Sequence, residues 1–382
     1  MRVGVVSWLY PSRRNPGNGI FVRGELEHLA AFAEIRLIAP LHNQYWFGEI
    51  HSETSAAGYP VIRPFTWLFP SWFFQRFSPA AMAGALSRSR GFFSGCDLVH
   101  AHNAFPEAVA VVRAFGREFP VVVTVHGSDV NLLMGRRTLH EAIVEALSSV
   151  RRVICVSRAL ASTLRENGVT AAIEVIPNGI DTAHFTPGDK RAACETLGLD
   201  PDRPRVLYAG NFVPWKGIEY LIQAMPDTAR VFPECELVLL GARPGAGDRE
   251  RYRGLIAHTG MKRLVRICEW VPNRELQAWY RASDVFALPS LKEGFGIVAA
   301  EALACGRPVV ATRSGGPEDI VEEGLGYLIP PADAPALACA LVLALRREGV
   351  LDPASIARSA SERFSCETVT RRILAVYDRV AE

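Results

Sequence analysis

The sequence has few lysines, no paired cysteines and no long apolar run. Only four of its 42 basic residues are lysine, at positions 190, 216, 262 and 292, so each lysine is a candidate for a specific role. The eight cysteines lie far apart, which excludes a zinc-finger spacing and favours reduced thiols in a cytosol. The longest uncharged apolar run, PALACALVLAL, is too short to cross a membrane, and the N-terminal apolar run is too short for a signal peptide. We therefore expect a cytoplasmic protein that at most lies on the inner face of the cytoplasmic membrane.

Common phosphate-binding and metal-binding motifs are also missing. There is no G-x-x-x-x-G-K-[ST] and no G-x-G-x-x-G after a strand, which argues against hydride transfer. The D-x-D at Asp200 and Asp202 contains a proline, so we interpret it as a turn. His100 and His102 form an H-x-H at a predicted strand end, for which we favour packing or ligand contact over a metal pair. The net charge of +2 argues against nucleic acid as a partner.

The length and the order of apolar segments indicate two α/β domains. The chain has 382 residues, and short apolar strands alternate with helical patterns in both halves. This order predicts two doubly wound, Rossmann-like domains with parallel sheets, whose strands end at a central cleft. The polar stretch 183–203 is predicted to connect a domain at 1–182 to a domain at 204–365. The sequence leaves open whether the last helix, 366–382, packs on the first domain.

Two loops in the second half have the composition of a phosphate site. GNFVPWKG follows a predicted strand and brings Lys216 to the start of a helix, where backbone N–H groups and the helix dipole attract anions. In ATRSGGPEDIVEE, Gly315 and Gly316 permit close backbone approach before a helix that starts at Pro317. We interpret the two loops together as a diphosphate cradle, although each taken alone is compatible with an ordinary loop.

Polar residues follow several predicted strands of the first half. His126, Ser128 and Asp129 come directly after the apolar strand VVVTV, where a ligand would bind, although the cluster is also compatible with a structural turn. Ser157 either caps a helix or contacts a ligand. Asn178 lies beside the predicted interdomain connection, in an Asn-Gly pair that is also typical of a turn.

The stretch EGFGIVAAEALACG presents a buried-charge problem. It predicts a short apolar helix at 296–304 with one carboxylate, Glu301, near its middle. Burying a carboxylate without a partner is very costly, so Glu301 must either reach solvent or find a hydrogen-bond donor.

These motifs together resemble the retaining glycosyltransferases of family 4, which have the GT-B fold. The resemblance covers essentially the whole chain and is carried in order by YPSRRNPGNGIFV, HGSD, VSRAL, IPNGID, GNFVPWKG, PSLKEGFGIVAAEALACGRPVVAT and SGG. The most specific element is the E-x7-E from Glu293 to Glu301. The N-terminal pattern is most similar to enzymes of bacterial surface-polysaccharide and teichuronic acid assembly.

The resemblance implies a role for each matching residue. Glu301 would bind the ribose hydroxyls of a nucleotide-sugar, which would supply its buried carboxylate with two O–H donors. Glu293 would lie near the transferred sugar. The remaining donor-side residues would be Gly19, Lys216 and Val271 and the backbone of Gly294, Phe295 and Gly296. His126 would contact the sugar and the leaving phosphate. Ser128, Asp129, Ser157 and Asn178 stay acceptor-side or structural candidates.

One residue departs from the family pattern. Asn211 stands where such enzymes usually have an arginine, and an asparagine cannot supply a bidentate charged clamp. Either Lys216 and helix N-termini suffice for the diphosphate, or another arginine takes that role.

The function implied is transfer of a hexose from a nucleoside-diphosphate sugar, a UDP-sugar rather than a GDP-sugar, to a hydroxyl of a glycan or lipid-linked acceptor. Configuration would be retained by front-face attack, with no metal and no cofactor. The alternatives are a nucleotide-sugar epimerase, a sugar phosphorylase of the same fold, or a non-catalytic nucleotide-sugar binder.

An aromatic segment suggests contact with a membrane surface. In FTWLFPSWFFQRF, residues 65–77, seven of thirteen residues are aromatic, and arginines flank the segment. Such a segment can lie in the membrane interface or line a groove for a lipid-linked acceptor, and it can also fill a domain core. Two prolines within or beside it, Pro64 and Pro70, favour the exposed role.

Overall fold

The structure, a computed structural model, describes residues 1–42, 51–67, 75–116, 118–131, 134–242 and 248–382. These residues form two compact units, the first made of Met1–Gly179 with Cys366–Glu382 and the second of Ile180–Ser365. The described ranges contain no helix that is both long enough and apolar enough to cross a bilayer.

The first unit is an α/β layer structure built on a mostly parallel sheet. Its strands are β1 Arg2–Val6, β2 Glu34–Ile38, β3 Leu41–His42, β4 Ser52–Thr54, β5 Pro60–Ile62, β6 Phe65–Thr66, β7 Leu98–His102, β8 Val121–Val125, β9 Arg152–Cys155 and β10 Ile173–Val175. Its helices are α1 Ile20–Leu29, α2 Ser78–Arg88, α3 Val109–Phe115, α4 Ser128–Asn131, α5 Arg137–Ser149 and α6 Arg158–Glu166. The main sheet has the order β10-β9-β8-β7-β1-β2-β5-β4, and only the β4–β5 pair is antiparallel. Strands β7 and β8 are buried at every residue because helices cover both faces.

The second unit has a fully parallel sheet of six strands. These are β11 Arg205–Ala209, β12 Glu236–Ala242, β13 Val265–Glu269, β14 Val285–Leu288, β15 Val309–Thr312 and β16 Gly326–Ile329. The helices are α7 Lys190–Leu197, α8 Ile218–Val231, α9 Asp248–His258, α10 Leu276–Arg281, α11 Ile297–Ala304, α12 Ala334–Leu345 and α13 Pro353–Phe364. The strand order is β13-β12-β11-β14-β15-β16, the doubly wound order of mononucleotide-binding folds.

The last helix, α14 Cys366–Ala381, belongs to the first unit. Its buried residues Val369, Ile373, Val376 and Tyr377 repeat at helical spacing and join the core cluster that contains Leu26 of α1. An amphipathic stripe of this kind needs an apolar surface to cover it, and the first unit supplies that surface.

The polar segment 183–203 is not a free connection between the units. It lies in the second unit and contains α7, which begins after Asp189, whose carboxylate accepts a hydrogen bond from the Ala192 N–H at 2.7 Å. Cys194 of α7 is fully buried against Ala282. The segment predicted as a connection thus contains a packed helix, because the few apolar residues of α7 stand among many polar ones in the sequence.

Candidate functional site

In the second unit, the strand order reverses between β11 and β14. The chain runs from β11 outward to β12 and β13 and then returns to β14 on the other side. Ligands of open parallel sheets bind outside the carboxyl ends of the strands at such a reversal. The loop after β11 carries Lys216 and the loop after β14 carries Glu293. The fold therefore brings the two predicted motifs together at one edge of one sheet.

Lys216 and Glu293 form an ion pair at this edge. Lys216 Nζ lies 2.5 Å from Glu293 Oε2, and Ser290 Oγ donates to the same oxygen at 3.0 Å. The two loops are also joined through their backbones, since the Leu291 N–H donates to the Trp215 carbonyl at 2.8 Å. A lysine that is held by one carboxylate still has two N–H donors for an anion.

Gly217 explains why the Lys216 loop can lie so close to its neighbour. Its φ is +63°, and a Cβ at this position would stand 2.1 Å from the carbonyl oxygen of Pro289. Only glycine avoids both the strained backbone and this clash. The pairing of Lys216 with Glu293 thus depends on the glycine that follows the lysine.

Glu301 is buried, and each of its two carboxylate oxygens accepts one hydrogen bond. It lies on α11 with 4% of its surface exposed, and its two oxygens accept from Asn273 Nδ2 at 2.9 Å and from the Tyr280 hydroxyl at 2.8 Å. Burial raises its pKa to about 7, while the two hydrogen bonds oppose that change. Because each carboxylate oxygen has two lone pairs, Glu301 can accept two further O–H donors without losing these partners.

Tyr280 shares the environment of Glu301. Burial and the neighbouring carboxylate both raise the pKa of its phenol well above the ordinary value. The hydroxyl therefore keeps its proton and remains a donor to Glu301. This hydrogen bond fixes the orientation of the Glu301 carboxylate.

The glycine-rich loop after β15 differs from the predicted diphosphate cradle. The N–H of Gly315 donates to Glu318 at 3.0 Å, and the N–H of Gly316 donates to the carbonyl of Glu293 at 3.0 Å. A Cβ on Gly316 would meet the Phe295 backbone at 2.3 Å. These glycines therefore lock the loop that carries Glu293 and do not present free amides, and the predicted helix at Pro317 is only a short turn.

The remaining donor-side candidates lie at the same sheet edge. Gly294, Phe295 and Gly296 are buried between β14 and α11, and Gly296 has a φ of +100° at the helix start. Val271 is half-buried after β13, two residues before the asparagine that contacts Glu301. Asn211 is exposed in the loop after β11.

In the first unit, the strand order reverses between β1 and β7. The loop after β1 ends at Gly19, which has a φ of +61° and whose Cβ would lie 2.1 Å from the Leu9 carbonyl oxygen. The turn after β7 carries Glu107, which is fully buried and accepts from the Trp8 N–H and from Asn103 Nδ2, each at 3.2 Å. Burial raises the pKa of Glu107 well above its ordinary value.

His126 follows β8 and touches a second histidine. Its Nε2 lies 3.1 Å from Nδ1 of His102, and the two rings are nearly parallel, with centroids 5.4 Å apart. Phe21 of α1 packs on its other side at 4.8 Å between ring centroids. Burial lowers the pKa of His126 to about 4, an effect that the neighbouring Asn178 side chain opposes.

His100 and His102 play different parts. His100 is held at both ring nitrogens, at 2.7 Å from the Tyr377 hydroxyl and 2.7 Å from Thr124 Oγ1. Ligand atoms of Glu25, His100 and His102 lie within 4.8 Å of one another. A metal bound there would have to break a short hydrogen bond of His100, so this geometry favours hydrogen bonding over metal ligation.

The other first-unit candidates have structural contacts. Both oxygens of Asp129 are engaged, by the N–H groups of Ala104 at 2.7 Å, Gly127 at 2.9 Å and Val130 at 3.1 Å, so this carboxylate ties the loop after β8 to the turn after β7. Ser157 is buried and caps α6, accepting from the backbone N–H three residues on.

The sequence analysis does not identify several residues that lie beside the candidate sites of the two units. Asn273, Tyr280 and Ser290 hold the two glutamates of the second unit, and Glu25 and Glu107 are buried carboxylates of the first. Of these, only Glu107 leaves a signal, as a charged residue in the apolar stretch that follows a central strand. The others come from separate elements that only the fold brings together.

Comparison with known proteins assigns the family. Residues 5–184 match the family described as Glycosyltransferase Family 4, and residues 189–362 match the family described as Glycosyl transferases group 1. The D-inositol 3-phosphate glycosyltransferase of Xylanimonas cellulosilytica is 32% identical over 321 residues, covering 79% of this chain and 75% of the relative. The teichuronic acid biosynthesis glycosyltransferase TuaC of Bacillus subtilis is 29% identical, with 89% and 88% covered.

Solved structures share the fold. The sucrose-phosphate synthase of Thermosynechococcus elongatus superposes with a TM-score of 0.84 at 24% identity, covering 100% of this chain and 99% of that one. Anabaena HepE in complex with UDP gives a TM-score of 0.77 at 21% identity, with 99% and 100% covered. Together with the two doubly wound units, these matches confirm the predicted GT-B fold, and the chain belongs to the family 4 glycosyltransferases.

Proposed function

We propose that this glycosyltransferase moves a hexose from a nucleoside-diphosphate sugar to an acceptor hydroxyl with retention of configuration. The observation that carries the proposal is that Lys216 and Glu293 pair in the loops after β11 and β14, and that Glu301 lies buried on α11, the helix that follows the second loop, at the strand-order reversal of the second unit. A cation for the diphosphate and a buried carboxylate for hydroxyl groups are the two functions that a nucleotide-sugar requires.

Glu301 is the proposed acceptor of the ribose hydroxyls. It is oriented by Asn273 and Tyr280, and it retains lone pairs for two more hydrogen bonds. Binding of the ribose would offset the cost of keeping this charge away from water. The half-buried Val271, in the loop next to Asn273, is the proposed contact for the base.

Retention by front-face attack is supported by the state of Glu293. Its Oε2 accepts from both Lys216 and Ser290, which makes the carboxylate a poor nucleophile for a double displacement. The leaving diphosphate would then help to deprotonate the acceptor, while Lys216 stabilises the charge that develops on it. Lys216 and helix N-termini take the place of a divalent ion in this proposal.

We propose UDP as the favoured nucleotide and a glycan or lipid-linked molecule as the acceptor. HepE, which shares the fold, is known in complexes with UDP and with UDP-glucose, and TuaC is named for teichuronic acid biosynthesis. The first fact favours UDP as the nucleotide, and the second favours a role in bacterial polysaccharide assembly.

The test starts with donor binding. Thermal unfolding is measured with UDP-, GDP- and ADP-glucose at equal concentrations, because a ligand that binds the folded state raises the unfolding temperature. We expect the largest rise with UDP-glucose, in the presence and in the absence of EDTA. A rise that requires a divalent ion would contradict the metal-independent proposal.

The reaction is tested by product analysis. Nucleotide release should depend on an acceptor, and proton NMR of the new linkage should show the same anomeric configuration as the donor. An inverted linkage would refute retention. Conversion of the donor without an acceptor would indicate an epimerase, and donor binding without release for any acceptor tried would indicate a non-catalytic binder.

A further inference from the structure

Two buried titratable groups, Glu25 and His102, lie in a row behind His126 in the first unit. Glu25 Oε1 on α1 faces His102 Nε2 at 3.6 Å, and His102 Nδ1 lies 3.1 Å from His126 Nε2. The side chain of His102 is fully buried and that of Glu25 is 8% exposed. The row therefore links the helix that follows β1 to the histidine at the end of β8.

Hydrogen bonding along this row is incomplete. In the described part of the chain, Glu25 Oε1 and His102 Nε2 are buried without a partner at hydrogen-bonding distance. Among the same residues, His126 Nδ1 is also buried without a partner at that distance, and the Asn178 side chain is the polar neighbour of His126. A buried polar atom without a hydrogen-bond partner destabilises the folded state. Closing the Glu25–His102 gap by well under 1 Å would give a normal hydrogen bond of about 2.9 Å and would relieve two of the three atoms at once.

Such a hydrogen bond has two forms, which differ in where the protons lie. With Glu25 protonated, its O–H donates to His102 Nε2, His102 Nδ1–H donates to His126 Nε2, and His126 carries its proton on Nδ1. With Glu25 ionised, it accepts from His102 Nε2–H, His102 Nδ1 accepts from His126 Nε2–H, and His126 Nδ1 is bare. The change from the first form to the second releases one proton from His126 Nδ1 and leaves the negative charge on Glu25.

The surroundings favour the uncharged form near neutral pH. Burial raises the pKa of Glu25 to about 8 and lowers the pKa of His102 well below its ordinary value. From the elements packed around it, Glu25 faces His100 of β7, which is already held at both nitrogens, and Tyr377 of α14, whose phenol keeps its proton because burial raises its pKa. On α1 itself, Arg23 and Glu27 pair with each other at 3.6 Å.

We propose that Glu25 and His102 are positioning residues that set the tautomer of His126 and receive the charge when His126 gives up a proton. The meaning of this for catalysis rests on the proposed function, in which His126 contacts the sugar and the leaving phosphate. A His126 Nδ1–H is a donor for an oxygen of the substrate, whereas a bare Nδ1 is only an acceptor. We call the row of Glu25, His102 and His126 the relay. It lets a neutral His126 donate a proton without becoming an imidazolate.

The direct test is the tautomer of His126, observed by NMR of protein labelled with nitrogen-15 in histidine. Long-range proton–nitrogen spectra distinguish a protonated ring nitrogen from a bare one, and a His126→Gln sample assigns the signals. In the wild type we expect the proton on Nδ1 below pH 8 and on Nε2 above it, since the pKa of Glu25 is about 8. A tautomer that is unchanged through this range overturns the proposal.

Two variants separate the relay from simple packing. Glu25→Gln keeps the shape and can still donate to His102 Nε2, so His126 should remain protonated on Nδ1 at every pH. Glu27→Gln, two residues along the same helix and about 37% exposed, should titrate like the wild type. If Glu25→Gln still shows the wild-type transition, Glu25 is not its source. A bound divalent ion that is present in purified wild type and lost in Glu25→Gln would also overturn the proposal, in favour of a metal site.

Activity gives an independent readout. We expect wild-type kcat to fall about tenfold for each pH unit above the Glu25 pKa, with the donor KM unchanged, and we expect Glu25→Gln to lose this decline. Failure of the relay can be distinguished from failure of the proposed function. A tautomer change in a protein that transfers no sugar supports the relay alone, whereas sugar transfer with an unchanging tautomer refutes the relay alone.

Discussion

Replacing Glu301 with glutamine should weaken donor binding and strengthen the fold. The carboxylate is 4% exposed, and burial raises its pKa from 4.5 to about 7. Glutamine has the same shape, and it can accept from Asn273 through its oxygen while its amide donates to the Tyr280 hydroxyl, which can rotate. The substitution therefore removes the charge and keeps a hydrogen bond to each of the two partners.

The stability change follows from proton linkage. Because the folded pKa is the higher one, the folded state holds a proton that the unfolded chain loses near pH 4.5, and stability falls as the pH rises to about 7. The difference between about 7 and 4.5, at about 1.36 kcal/mol per pH unit, amounts to about 3 kcal/mol. Glu301→Gln should thus match the wild type near pH 4.5 and exceed it by up to about 3 kcal/mol above pH 7.

The affinity for the donor should fall in Glu301→Gln, whereas the stability should rise. If the ribose hydroxyls donate to an ionised Glu301, loss of the charge removes roughly 1.5–3 kcal/mol, a weakening of about 10- to 200-fold. Calorimetric titration with the donor and urea unfolding at acid and alkaline pH measure both effects. Glu323→Gln, an exposed change in the same unit, serves as the control and should alter neither. Unchanged donor affinity in Glu301→Gln would refute the ribose assignment, and a stability difference that does not vary with pH would refute the buried-charge argument.

Three further substitutions test the remaining assignments. Lys216→Ala should lower kcat by about 10²- to 10³-fold with little loss of stability, because its charge is needed as the diphosphate leaves, whereas the exposed Lys262→Ala should keep normal rates. His126→Ala should lose most activity in a turnover assay but still bind free nucleotide in calorimetry, and normal turnover would remove His126 from the site. Trp67, which is 53% exposed, should take part in binding to anionic vesicles, so co-sedimentation should weaken in high salt and in Trp67→Ser. Wild-type protein that ignores such vesicles at low salt would refute membrane contact.

The aromatic segment is described only in part. Trp67 is exposed and meets Phe65 edge to face, with ring centroids 5.2 Å apart, and Phe77 is 43% exposed. Residues 68–74, which include Trp72 and Phe73, lie outside the described residues. The membrane interpretation of 65–77 therefore stays a prediction, for which the exposed Trp67 is the structural support.

The sequence predicts features that depend on neighbours along the chain. Alternating apolar runs indicate parallel sheets covered on both faces, and the two loops with Lys216 and Glu293 are found directly after strands, as their composition suggests. The helix around Glu301 is also clear, because seven of its eight residues are apolar. Each of these inferences uses information within about ten residues.

What the sequence could not supply is the identity of distant partners. Glu301 requires hydrogen-bond donors, but Asn273 lies 28 residues away in the turn before α10 and Tyr280 lies 21 residues away on α10. The amides of Gly315 and Gly316 look available for phosphate until the fold supplies Glu318 and the Glu293 carbonyl as their acceptors. Long-range pairing of this kind depends on sheet order, which local patterns do not specify.

The buried carboxylates and buried histidines should together give stability a maximum in mildly acid solution. Burial raises the pKa of Glu25 to about 8 and of Glu301 to about 7, so the stability that they contribute is complete below pH 4.5 and is lost as the pH rises through those values. Burial lowers the pKa of His100 to about 3 and of His126 to about 4, so their contribution is complete above pH 6.5 and is lost as the pH falls. Of these four groups, only the two carboxylates lose stability as the pH rises above 6.5, and only the two histidines lose it as the pH falls below 4.5. The unfolding temperature should therefore peak between these limits and decline through pH 8, where Glu301 is ionised and ready to bind a donor. A temperature that climbs steadily through pH 8 would show that these side chains are hydrated and would remove the basis for both the ribose site and the relay.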